Sequence, residues 1–204
     1  GRREEQLGAV ERLAQLEDTP SRRRAALGRA AHLAAELEEA DRALALWEQR
    51  LEEDPEDAAA LGELIALLER EERWAELVRA LRRRADGPTA AWQKRADLIR
   101  VARVQAEKLE QLADAIATWN EVASGYGEDA AVADALVDLY ERTERYEEMA
   151  AVLDRTSARE ETHLAMVRAR QGDAFGQYLG DPARALTSYG RALEAEPDHA
   201  EARA

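Results

Sequence analysis

The chain of 204 residues carries 43 Asp and Glu against 29 Lys and Arg, a formal net charge of −14. Alanine supplies 44 residues while Val, Ile and Phe together supply 13, so helix formers dominate and the residues a sheet needs are scarce. This composition excludes a β-sheet protein. With no Cys it also excludes a disulfide framework or thiolate metal site, and its charge excludes the basic footprint that nucleic acid or anionic lipid requires.

In chain order, residues 2–17 read as one helix, with Leu7, Val10 and Leu13 at helical spacing. Thr19-Pro20-Ser21 starts a second helix, and Arg22-Arg23-Arg24 follows at once. Cations in a first turn oppose the helix dipole, which marks this run as a candidate contact for an acidic partner. Ala43, Leu44 and Trp47 line a third helix, closed by Asp54-Pro55. Leu61, Leu64, Ile65 and Leu68 then form one apolar stripe, and Trp74, Leu77, Val78 and Leu81 repeat it. The turn between them, residues 69–73, is wholly charged and short enough to force two antiparallel helices. Arg82-Arg83-Arg84 ends the second, where cations complement the dipole, before Gly87-Pro88-Thr89 breaks the chain. Long helices are predicted to begin near Thr89 and Glu160, with Trp92 and Leu164 adding early apolar contacts. Gly125-Tyr126-Gly127 and Glu196-Pro197-Asp198 close two later pairs.

The sequence repeats internally. Residues 57–83 fall on 129–155 without a gap, and 12 of those 27 positions are identical, among them Asp57, Leu64, Glu69, Glu72, Arg73 and Arg83. The trio Ala43, Leu44, Trp47 recurs as Ala115, Ile116, Trp119 and as Ala185, Leu186, Tyr189. Each long period holds four amphipathic segments, so the elementary unit is a pair of helices. One pair cannot bury its apolar face, and stacked neighbours build a continuous core. Trp47, Trp74, Trp119, Tyr146 and Tyr189 occupy equivalent stripe positions and are assigned to that core.

The stretch from Gly180-Asp181-Pro182 through Ala185, Tyr189 and Ala192 to Pro197 resembles the end of a tetratricopeptide repeat. Ala43, Trp47 and Pro55 give the same pattern, and Ala115 with Trp119 give it again. The resemblance spans residues 22–199, about five repeats, and departs from the family pattern at Leu77 and Met149, where Ala is usual. It implies an all-α fold, a right-handed α-solenoid of antiparallel helix pairs with a concave surface lined by the first helix of each pair. The expected organisation is an N-terminal helix or half repeat (1–20), five repeats (21–56, 57–87, 88–128, 129–158 and 159–199) and a short tail (200–204). Gly1 in place of Met, with the Arg and Ala bias, reads as a fragment of a larger bacterial protein, with the cytoplasm preferred over the periplasm.

The resemblance also implies where a partner lies. Aligning Leu27, Leu61, Ile99, Ala133 and Ala169 places Arg29, His32, Glu63, Arg100, Asp134, Asp138, Arg170 and Gln171 on the groove side of the first helices. Members that bind chaperone tails clamp a carboxylate with Lys and Asn. Gly28 and His32 stand at the first of those positions here, so that adaptor role is disfavoured. No nucleophile elbow or phosphate loop is present. Glu160 and His163 give one Glu-x-x-His, and a di-iron site needs two, so no metal, cofactor or catalytic residue is expected. Gly172, Gly176 and Gly180 are assigned to close helix packing. The resulting expectation is a non-catalytic scaffold that accepts a protein or peptide partner in the groove, without nucleic acid or membrane. The alternative is a structural spacer or oligomerisation segment with weak self-association through the solenoid ends.

Overall fold

Runs of Ala, Leu, Glu and Arg at helical spacing form helices throughout the described residues, and no strand occurs among them. The computed structural model describes residues 1–157 and 164–203. The Glu160/His163 pair and the expected helix start near Glu160 lie outside the described residues. The helices are α1 (Arg2–Leu16), α2 (Pro20–Glu36), α3 (Ala40–Glu53), α4 (Ala58–Arg70), α5 (Trp74–Asp86) and α6 (Ala91–Glu107). They continue as α7 (Leu112–Tyr126), α8 (Ala130–Arg142), α9 (Tyr146–Ser157) and α10 (Leu164–Asp173). A π turn (Ala174–Tyr178) follows, then α11 (Pro182–Ala195) and α12 (Ala200–Arg203). The chain divides into two compact units, Gly1–Val104 and Gln105–Ala204.

In the first unit each helix packs on the next along the chain from α1 to α5. Leu7, Leu51, Leu64, Leu77, Leu81 and Val101 are fully enclosed there. At roughly 1.5–3 kcal/mol for each large side chain buried, such contacts are what hold a stack together. In the second unit α7 packs on α8, α8 on α9, α9 on α10 and α10 on α11, around Val122, Val132, Leu136 and Val152. Trp47 and Trp119 are buried as expected, while Trp74, Tyr146 and Tyr189 are half-buried. Trp92 is 73% exposed, so it adds no early packing to α6.

Asp57 and Asp129, matched by the internal repeat, and Asp181 ahead of α11 are helix caps. Asp57 accepts the backbone N–H of Ala60, Asp129 that of Val132 and Asp181 that of Arg184, each at 3.0 Å. The Asp57 carboxyl is held below its ordinary range: burial opposes this, but the Arg50 guanidinium and the Ala60 N–H outweigh it.

The corners between paired helices share one device. Glu38, Glu72, Glu110, Glu144 and Gly180 all have positive φ, between 54° and 62°. After Glu38, Glu72 and Glu144 the next residue donates its N–H to the carbonyl five residues back, at 2.8–3.0 Å. That closure ends a helix with a left-handed residue, normally glycine. After Glu110 and Gly180 the same bond reaches six residues back, at 2.8 Å. Glutamate holds four of these left-handed positions at a penalty of about 1–2 kcal/mol each. Replacing Glu38, Glu72 or Glu144 by Gly therefore raises the unfolding free energy by about 1 kcal/mol each. Urea titration of the three single variants and the triple variant measures it, and the gains add because the corners are far apart in sequence and share no partner.

The π turn changes the register of α10. It supplies one extra residue between α10 and the corner at Gly180, so Gln171 takes the place of Ala30 and Gly172 that of Ala31. Both alanines are fully buried, and so are Gln171 and Gly172. The close packing expected of the glycines holds at Gly172, where a Cβ would meet the Tyr189 ring, and at Gly176, where a Cβ would stand 3.3 Å from the Ala185 Cβ. Gly180 instead serves its positive φ of 62° and faces open space.

Candidate functional site

On the first unit, α2 presents Arg29 and His32 to solvent, α4 presents Glu63, and α6 presents the half-buried Arg100. The His32 imidazole stands edge-on to the Trp47 ring, with centroids 5.1 Å apart. Arg100 Nη2 donates to Glu69 Oε2 at 3.0 Å, tying α6 to α4. On the second unit, α8 exposes Asp134 and Asp138, and Asp138 pairs with Arg142 one turn along at 3.4 Å. Arg170 on α10 reaches Glu141 on α8 at 3.5 Å. Glu69 and Glu141 are matched residues of the internal repeat. Each therefore pairs with an arginine of the following first helix, and the same bridge recurs in both units.

These bridges are solvent-facing, with side chains 37–55% exposed. Exposed pairs contribute at most about 1 kcal/mol, so a partner's charge can displace either member at little expense. The first-unit face mixes both signs, and the second-unit face is led by Asp134 and Asp138.

Gln171 does not belong to this set. Expected on the exposed side, it is 4% exposed and hydrogen-bonded inside the second unit. The one-residue slip at the π turn removes it from the face and leaves Arg170 there.

Neither basic run stands free in solution. Arg23 bonds Glu53 and the Glu17 carbonyl, and Arg24 pairs with Asp54 at 3.5 Å. They fasten the start of α2 to the end of α3, which answers their unfavourable place in the helix dipole. Arg83 donates to the Leu51 carbonyl at 3.1 Å and pairs with Glu48 at 3.6 Å. Arg84 holds Asp97, a fully buried carboxylate of α6, through two bonds of 2.6 and 2.8 Å. Among the described residues no group of three or more His, Cys, Asp or Glu is placed to hold a metal ion. None of the described helices is long and apolar enough to cross a membrane.

Helix pairs of this kind are also found in repeat proteins of solved structure. The fold is similar to that of YrrB, a TPR protein with an unusual peptide-binding site, at 18% identity and a TM-score of 0.51. That match covers 87% of this chain and 89% of YrrB. The fold is that of the tetratricopeptide repeat. A second similarity, to the MamA protein, has 13% identity and a TM-score of 0.51, covering 85% of this chain and 92% of that one. No family model matches the sequence, and no curated protein does. The tetratricopeptide pattern is thus carried by helix length, corner and packing more than by residue identity, as Leu77 and Met149 illustrate. Both stand where the repeat usually has Ala, and both are buried.

Proposed function

We propose that the chain is a non-catalytic protein-interaction module that holds a peptide or helix of a partner against the exposed faces of its first helices. The observation that carries this reading is the recurrent Glu–Arg bridge, Glu69 with Arg100 and Glu141 with Arg170, flanked by Arg29, His32, Glu63, Asp134 and Asp138. Weak, exposed and repeated charge pairs suit exchange for a partner's charges and set specificity more than affinity. The fold it shares with YrrB, which has a peptide-binding site, supports a peptide as occupant. Affinity capture from lysate of the source organism tests it, with wild type beside the triple variant Arg29→Glu, Arg100→Glu, Arg170→Glu. A protein retained by wild type and lost by the variant is the expected result. Equal retention by both removes the partner from the first-helix faces.

One observation favours the spacer reading. Leu186 is 72% exposed, whereas its repeat counterparts Leu44 and Ile116 are 5% and 3% exposed. An exposed apolar side chain at a stacking position of α11 suits self-association. Concentration-dependent sedimentation of the same samples, abolished by Leu186→Glu, together with an empty capture, would put the spacer first.

A further inference from the structure

The second unit contains a cleft of about 330 Å³ walled by α9 and α11 and floored by α10 and its π turn. A cleft of about 370 Å³ lies at the corresponding place in the first unit, walled by α1 and α3 and floored by α2. The two are built alike. Arg42 of α3 grips Glu11 of α1 with bonds of 2.5 and 2.7 Å, and Arg184 of α11 reaches Glu147 of α9 at 3.3 Å.

Their interiors differ in chemistry. The first-unit floor is Leu27 and Leu46, with Gln49 at the rim. The repeat places Ser188 where Leu46 stands and Arg191 where Gln49 stands, while the π turn brings Gln171 and Phe175 to the floor. Gln171 and Ser188 are 4% and 5% exposed. Burying two polar groups where Ala30 and Leu46 serve the other copy adds nothing to packing, and it carries a desolvation penalty.

Their hydrogen bonds leave one donor poorly held. Arg168 at 2.9 Å and Ser188 at 3.2 Å both donate to Gln171 Oε1, which fixes the orientation of the amide. Its Nε2 then reaches the Ala150 carbonyl and Asp154 Oδ1 only at 3.5 Å each, beyond the usual N–H···O range. Of the charges around the cleft, Glu147 is matched by Arg184 and Asp154 by Arg168 at 3.0 Å. Arg184 also binds Asp181 at 2.6 Å and lies over the Phe175 ring. Arg191 is the cation of the cleft without an ion pair among the described residues. A weakly held amide donor and a guanidinium without an ion pair, lining the same cleft, are together suited to an anion with two oxygens.

We infer that this cleft binds a carboxylate side chain of an acidic peptide, with Arg191 supplying the charge and Gln171 Nε2 the buried hydrogen bond. The site is separate from the first-helix faces, so it stands or falls independently of them. The test is NMR titration of the full chain with acetylated, amidated tetraglutamate, with tetraglutamine as the neutral control. Tetraglutamate should shift the Gln171 side-chain amide and the Thr187 backbone amide saturably, and added salt should weaken the effect. Arg191→Gln, which installs the first unit's residue at an exposed position, should weaken binding about tenfold and leave the melting temperature unchanged. Absence of shifts at Gln171 at millimolar peptide overturns the assignment. Equal shifts from tetraglutamine, or unchanged binding by Arg191→Gln, overturn it as well.

Discussion

Arg84→Ala lowers the unfolding free energy by about 3–5 kcal/mol, the typical loss when a buried ion pair is deprived of one partner. Asp97 has no exposed surface, and three bonds hold it: two from Arg84 and one from Gln93 Nε2 at 3.0 Å. Removing the guanidinium leaves a buried carboxylate with one neutral donor. The bonds to Asp97 also raise the Arg84 guanidinium above its ordinary pKa, so the arginine stays charged throughout the accessible pH range. Arg84→Lys keeps the charge but presents a point donor to two oxygens, and falls between wild type and Arg84→Ala. The double variant Arg84→Met, Asp97→Leu removes charge and counter-charge together and recovers most of the loss. Urea unfolding of these four proteins measures the effect. If Arg84→Ala proves as stable as wild type, Asp97 is not desolvated in solution.

The same pair shows where reading the sequence stops. Arg82-Arg83-Arg84 stands out in an acidic chain and invites the helix-dipole explanation, which needs no partner. The true partner of Arg84 lies 13 residues on, across the corner between α5 and α6, and no periodicity predicts that distance. By contrast, α4–α5 and α8–α9 were legible, because identical residues recur at fixed spacing and the stripes give the buried face directly. The four left-handed glutamates are illegible for a different reason: a corner with positive φ normally announces itself by Gly, and among the described residues Gly127 and Gly180 do so while Glu38, Glu72, Glu110 and Glu144 do not. Gln171 was misplaced by a single residue. The Ala185–Tyr189 alignment is correct for α11, but the π turn inserts a residue ahead of it, and a one-residue slip rotates a helix position by about 100°. Arg29, His32, Glu63, Asp134 and Asp138 fell on exposed surface because their helices contain no such insertion.

The Gly172→Ala substitution exposes that register change to measurement. A Cβ at Gly172 would stand 2.4–2.8 Å from three ring atoms of Tyr189, far inside van der Waals contact. The ring cannot swing away without breaking the bond from its hydroxyl to Asp173 Oδ1, 2.7 Å long. Burial and that bond push the Tyr189 phenol up to about 12, the mark of a hydroxyl held in its protonated form. Overpacking against a fixed ring should therefore destabilise by about 2–3 kcal/mol, although alanine is otherwise the better helix former. Gly28→Ala is the control. There a Cβ meets Arg50 Nη1 at 2.5 Å and the Trp47 ring only at 3.5 Å. Arg50 is tied to Asp57 through Nε at 2.8 Å, so only the Nη1 end of the guanidinium has to give and the change costs less than Gly172→Ala, about 1 kcal/mol. The decisive comparison is a double-mutant cycle. In a Tyr189→Ala background the ring is gone, and Gly172→Ala should become stabilising by up to about 1 kcal/mol through helix propensity. A penalty that persisted without the ring would place the strain in the α10 backbone. The one-residue slip that seats Gly172 beneath Tyr189 would then be wrong.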